Sequence, residues 1–374
     1  MKTLGIYLHI PFCKSKCHYC DFCSFPNQGQ NEKETYCQTL RALIAQRAAE
    51  LTDYEVDTVY FGGGTPTALP GELLCGLLET VKAHFRVSAK AEITAECNPA
   101  TADAAYFAAM RKAGFNRLSI GAQSLQDGEL VRLGRAHTAA DFCATVQMAR
   151  AAGFENISAD LMYGIPGQTR ESFAASVRGI CALGVQHVSA YALKIERGTL
   201  FYKLRRRLAL PDDDTVADMY EDCVAILAEQ GIPRYEISNF ARPGYESRHN
   251  LKYWECDEYL GLGVAAHSCL RGVRAAYEDW DAFMRGKPEE LIYETVTPER
   301  EQDEYVMLGL RLEKGIDKAA FSARFGKEFD AVYGKKLAPY VRDGFVFDNE
   351  QLCRFTTKGF LVSNTVLADV LDFD

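Results

Sequence analysis

Ala113-Gly114-Phe115-Asn116-Arg117-Leu118-Ser119 recurs as Ala152-Gly153-Phe154-Glu155-Asn156-Ile157-Ser158, and more faintly as Leu183-Gly184-Val185-Gln186-His187-Val188-Ser189. In each copy a helical pattern ends on glycine, the residue suited to a left-handed C′ position, and a turn leads into a short apolar run. A helix that repeatedly feeds a strand implies parallel strands joined by crossover helices. Outward from these copies the alternation continues. Runs rich in β-branched and aromatic residues predict strands at 4–11, 56–62, 91–97, 117–123, 157–163 and 187–193. Amphipathic segments predict helices at 33–51, 72–85, 102–112, 139–151 and 170–183, with Thr101, Thr138 and Thr169 as N-caps. The fold class is therefore α/β, as a (β/α) barrel or an open doubly wound sheet, and both place the site at the carboxyl ends of the strands.

The chain has 374 residues, 48% hydrophobic and 25% charged, which suits a large core with one smaller module. Its formal net charge of −9 argues against non-specific nucleic-acid binding. The basic run Lys203-Leu204-Arg205-Arg206-Arg207 reads as a solvated helix end or loop. No apolar stretch approaches the ~18–20 residues of a membrane span. The start Met1-Lys2-Thr3-Leu4 enters an apolar strand without a signal-peptide core, so a reducing, cytoplasmic setting is expected. Most of the other cysteines, such as Cys75, Cys143, Cys181 and Cys223, fall in helical apolar patterns and read as inert core thiols. We expect a main domain over 1–290 and a small helical, winged-helix-like domain over 291–374, the wing formed by Gly344-Phe345-Val346-Phe347 and Cys353-Arg354-Phe355-Thr356. It lacks a basic recognition helix, which favours a packing or partner role over DNA binding.

Polar residues collect after the predicted strands. The first strand leads into Cys13-x-x-x-Cys17-x-x-Cys20, the second into Gly62-Gly63-Gly64-Thr65-Pro66-Thr67, and later ones reach Glu96, Gln123 and Asp160. Three thiolates on one short loop suit an iron–sulfur cubane, holding three irons and leaving the fourth open. A zinc site normally takes four ligands from two knuckles, and only Cys23 stands ready as a fourth. Glycines after a strand remove Cβ atoms where a ligand approaches the backbone, although alone they equally mark a turn.

Together, CxxxCxxC and the glycine motif resemble the radical S-adenosylmethionine (SAM) superfamily, in which SAM chelates the open iron of a 4Fe-4S cluster and is cleaved reductively to a 5′-deoxyadenosyl radical. The resemblance implies a partial (β/α) TIM-like barrel. It covers essentially the whole chain for one branch, that of oxygen-independent coproporphyrinogen III oxidase and the HemW heme chaperones. The matching stretches include Tyr7-Leu8-His9-Ile10-Pro11-Phe12-Cys13, Gly121-Ala122-Gln123-Ser124, Leu133-Gly134-Arg135-Ala136-His137 and Asp160-Leu161-Met162-Tyr163-Gly164-Ile165-Pro166. By motif correspondence Cys13, Cys17 and Cys20 are cluster ligands. SAM contacts are implied for Tyr7, Tyr19, Gly64, Thr65, Glu96, Gln123, Arg135, Asp160, Ala192 and His267. Arg135 and Asp160 could instead form a structural ion pair, and Tyr7 could be an ordinary core aromatic.

Three features turn the resemblance toward the heme chaperones. His249-Asn250-Leu251-Lys252-Tyr253-Trp254 looks like their HNxxYW motif, the chain lacks the oxidase's N-terminal extension, and Phe22 stands where the oxidase pattern has a further cysteine. Heme is thus the implied cargo, with His249 as a candidate axial ligand and Tyr253 and Trp254 as surfaces for the porphyrin face. His9, His18, His137 and His267 are competing ligands. The implied partner is an acceptor hemoprotein, with room for a homodimer and for peripheral membrane contact through the acceptor. No catalytic residue is assigned, and decarboxylation of coproporphyrinogen III is the alternative activity.

Overall fold

The computed structural model describes residues 1–371. Six parallel strands follow one another across the sheet: β1 (Lys2–Ile10), β2 (Tyr54–Gly63), β3 (Val87–Cys97), β4 (Arg117–Gln123), β5 (Asn156–Tyr163) and β6 (His187–Ala192). All six predicted strands are present, each within a few residues of its expected bounds. The crossover helices are Gln30–Glu50, Gly71–His84, Ala104–Ala113, Ala139–Ala151 and Arg170–Ala182. Thr138 and Thr169 cap the last two through capping boxes. Thr101 does not cap the third helix. Asp103 does, and Thr101 instead donates to the Asn98 carbonyl.

Period-2 alternation explains how this sheet makes a site. On one face Leu4, Ile6, Leu8 and Ile10 of β1, Val59 and Phe61 of β2, and Leu118, Ile120 and Ala122 of β4 are buried in the core. The other face carries Tyr7, Thr58, Tyr60, Glu92, Thr94, Glu96, Arg117, Ser119, Asp160, His187 and Ser189. Closed (β/α) barrels fill that interior with branched aliphatic side chains. Here it is polar, and the sheet stays open. Beyond β6 lie two short antiparallel strands, β7 (Arg234–Glu236) and β8 (Asn239–Ala241). Beyond β1 lie β9 (Tyr259–Leu262), parallel to it, and the antiparallel β10 (His267–Leu270), β11 (Val273–Ala276) and β12 (Leu291–Thr295). The order is β12-β11-β10-β9-β1-β2-β3-β4-β5-β6-β8-β7, a partial barrel.

The sheet runs through Thr295, past the expected boundary at 290, and the helical module starts with Pro298–Gly309. Its helices Lys318–Phe325, Lys335–Arg342, Thr357–Leu361 and Ser363–Val370 surround a three-stranded sheet that contains the expected wing, Val346–Asp348 paired with Leu352–Phe355. Backbone bonds stitch this module to the barrel: Ile237 N–H donates to the Arg311 carbonyl at 3.0 Å, and Glu313 N–H to the Tyr235 carbonyl at 2.9 Å. Among the cysteines expected in the core, Cys223 is buried, whereas Cys75, Cys143 and Cys181 are half-buried because they sit at helix edges. Lys203 and Arg205–Arg207 are solvated, as expected.

Candidate functional site

A chamber of about 1330 Å³ opens at the carboxyl ends of the strands, roofed by the C-terminal module. Cys13, Cys17 and Cys20 all line it. Their loop leaves β1 at Pro11 and is pinned where it returns, Phe25 N–H donating to the Pro11 carbonyl and Asn27 N–H to the Cys13 carbonyl. It is also tied to the segment before Arg135: His18 N–H donates to the Leu133 carbonyl at 3.0 Å, and His18 Nδ1 lies 2.9 Å from the Arg132 carbonyl. Gly134, at φ +71°, passes so close that a Cβ there would sit 2.6 Å from the His18 ring. Arg135 then reaches over to Cys17 Sγ at 3.5 Å, and Thr65 Oγ1 lies 3.6 Å from Cys13 Sγ.

These residues fit an iron–sulfur cluster better than a single ion. Among the described residues no three His, Cys, Asp or Glu side chains gather tightly enough to hold one metal ion. One zinc needs every sulfur about 2.3 Å from a single centre. A cubane takes one thiolate per iron, so its ligands stand further apart. Gly64 leaves the necessary clearance, since a Cβ would meet the Phe12 carbonyl at 2.8 Å and Cys13 Sγ at 3.1 Å. Arg135 supplies a positive charge beside the thiols. Burial pulls its pKa down, but Tyr19 and Cys17 raise it further, so the guanidinium stays charged.

Tyr19, Gly64, Thr65, Glu96, Gln123, Arg135, Asp160 and Ala192 line the same chamber. Glu96 accepts from Tyr60 Oη at 3.0 Å and from Gly63 N–H at 3.1 Å. Burial, with Asp160 adding repulsion, pushes its pKa up to about 7. Burial also raises the pKa of Asp160, which accepts from Ser119 Oγ at 3.0 Å. Arg135 bonds the Asn98 side chain and the Gly121 carbonyl rather than Asp160, so the alternative of a structural pair is not what the geometry contains. Gln123 sits at φ +62° on a register shift of β4, a strained position for a non-glycine residue that turns its side chain at the strand end.

Four expected residues do not reach the chamber wall. Tyr7 lies deeper, its hydroxyl 3.1 Å from His9 Nδ1 and its ring stacked 6.1 Å from Tyr60. His267, the first residue of β10, the third strand from the far edge of the sheet, is exposed and stacks on Tyr293. His249 is buried, with Nδ1 2.8 Å from Thr58 Oγ1 and Nε2 2.8 Å from Tyr253 Oη. Both nitrogens are engaged, so neither is open to heme iron, and Tyr253 is held with it. Trp254 and Asn250 do face the chamber. The competing histidines fare no better: His9 bonds the Cys23 carbonyl, His18 the Arg132 carbonyl and His137 the Ala122 carbonyl. Among the described residues no histidine lines the chamber.

Sequence reading gave no role to Asn98, whose amide donates to Thr65 Oγ1 at 2.7 Å while its oxygen accepts from Arg135, linking glycine loop and arginine. It also missed Arg117, 1% exposed and lining the chamber. The signal was available: a charge opening an otherwise apolar strand.

Comparison with known proteins agrees with this geometry. The radical SAM superfamily profile matches residues 7–179, and the HemN C-terminal domain profile matches residues 296–362. "Heme chaperone HemW" of Bacillus subtilis (strain 168) is 36% identical over 375 residues, spanning 98% of this chain and 98% of that protein. "Heme chaperone HemW" of Escherichia coli (strain K12) is 34% identical with the same coverage of both chains. The structure of the Escherichia coli coproporphyrinogen III oxidase HemN, described as a radical SAM enzyme, superposes with a TM-score of 0.87 at 24% identity, covering 100% of this chain and 91% of that one, a likeness of fold. The chain therefore belongs to the HemW family of the radical SAM superfamily.

Proposed function

We propose that the protein is a heme chaperone: it takes heme into the chamber and passes it to an acceptor hemoprotein, on a scaffold holding a 4Fe-4S cluster and SAM. The observation that carries this reading is the near-complete overlap with the B. subtilis relative named Heme chaperone HemW. The chamber supports it. At about 1330 Å³ it exceeds the ~300–1,000 Å³ of an ordinary single-ligand pocket, and aromatic residues Phe22, Tyr191 and Trp254 stand on its wall.

In this reading Cys13, Cys17 and Cys20 hold the cluster, and SAM lies among Tyr19, Gly64, Thr65, Glu96, Gln123, Arg135, Asp160 and Ala192. When bound, the cluster supplies electrons to SAM. The protein's own part is positional. Glu96 is fixed by Tyr60 and Gly63, and Arg135 by Asn98 and Gly121. Trp254 offers its face to the porphyrin, while His249 and Tyr253 frame the helix that carries it. Tyr7 acts from behind, through Tyr60. The protein works in the cytoplasm, the sheet through Thr295 forming the cofactor domain and the module from Pro298 onward the cover. Membrane contact in this reading is peripheral and made through the acceptor, and the reading leaves room for a homodimer; among the described residues no helix is long and apolar enough to cross a membrane.

Heme titration of the anaerobically reconstituted protein is the test. A saturable Soret band at one heme per chain is expected; cluster-bearing protein that takes up no heme would sink the reading. In parallel, incubation with coproporphyrinogen III, SAM and a reductant should give no vinyl products.

A further inference from the structure

Arg311 stands at the seam between barrel and roof. Its carbonyl is bonded by Ile237 N–H, its side chain lines the chamber, and one guanidinium nitrogen donates to Asn364 Oδ1 at 3.0 Å. Neighbouring arginines have acidic partners: Arg234 and Arg354 both grip Glu313. Among the described residues no carboxylate lies within ion-pair distance of Arg311, and burial lowers its pKa with no acid opposing the shift. The Arg311 guanidinium thus has a neutral partner, Asn364, and no acidic one.

Independent features also favour an anion beside it. Ser363 and Asn364 also line the chamber, and they open the helix Ser363–Val370, whose N-terminus has no side-chain cap. Its first-turn amides carry the positive end of the helix dipole. Lys358 adds a third positive group to the chamber lining, which also includes Phe345, Phe360, Leu361 and Val362. Such a wall suits an amphiphilic anion with a broad apolar body and a carboxylate at its edge.

We infer that Arg311, with the first turn of the helix Ser363–Val370, docks a carboxylate of the chamber's cargo. Resting on the chaperone reading, that carboxylate is a porphyrin propionate; the other carboxylate at hand belongs to SAM.

The test uses the reconstituted full-length protein, titrated separately with heme, heme dimethyl ester and SAM. Arg311→Gln should weaken heme at least tenfold, the usual effect of losing a charge-assisted hydrogen bond, while leaving ester and SAM affinity unchanged. Arg311→Lys should recover part of the loss. Asn364→Asp, which keeps Arg311 and offers it an internal anion, should weaken heme in the same way. Equal heme affinity in wild type and Arg311→Gln, equal losses for heme and ester, or a loss confined to SAM would each overturn the inference. Wild-type protein that holds its cluster but binds no heme would instead remove the chaperone reading beneath it.

Discussion

His249 is where residue chemistry departs most from the motif it belongs to. A neutral imidazole has one N–H and one lone pair, and Thr58 and Tyr253 take both. Burial, reinforced by Lys252 and Arg117, holds its pKa down to about 3, so the ring is neutral across working pH. His249→Ala is therefore expected to keep the wild-type heme spectrum while losing about 2–4 kcal/mol of stability through a cavity and two unmet hydroxyls, read by denaturant unfolding. Glu96 gives a pH signature. Its folded pKa of about 7 lies above the ordinary 4.5, so its contribution to stability is complete below pH 4.5 and is lost as pH rises through 7. In cofactor-free protein, Glu96→Gln should flatten that decline, which is on the order of a few kcal/mol; unfolding midpoints at pH 5 and pH 8 make the comparison. An unchanged gap between the two midpoints would assign the decline to other groups.

Elements explain which parts were legible. The six parallel strands announce themselves because their outward residues are uniformly apolar, and the three helix-glycine-strand echoes fix their direction. The short helix Asp127–Leu133 and the strands β7 to β11, three or four residues each, carry too few turns of any period to register. The same limit misled the reading of 249–254. That segment is one short helix, Arg248–Trp254, and helical spacing splits the motif between two faces. His249 and Tyr253 form one i, i+4 pair turned inward, and Asn250 and Trp254 form another turned to the chamber. Loop anchoring was also invisible, since only the fold brings Gly134 against His18. Gly134→Ala should cost about 1–2 kcal/mol from its left-handed backbone and displace the cysteine loop through His18. Iron retained per chain after gel filtration should fall below wild type.

For the whole molecule, the seam decides whether the chamber exists. Arg234 is buried between Glu313, Tyr220 and Thr357, with its guanidinium 4.0 Å from the Phe360 ring centre. Glu313 is partly solvated, which places the cost of Arg234→Ala below that of breaking a fully buried pair, at about 2 kcal/mol. Faster hydrogen exchange in residues 345–364, with the six parallel strands β1 to β6 unaffected, is the expected outcome. The seam also sets an order of events during synthesis. The cysteine loop precedes the roof residue Phe345 by more than three hundred positions, and β1 waits for β9 to flank it. At ~5–20 residues per second, roughly 15–65 s separate the two on the ribosome. The cysteine loop thus leaves the ribosome well before the module that roofs it, and in the finished protein Cys13, Cys17 and Cys20 remain only partly buried.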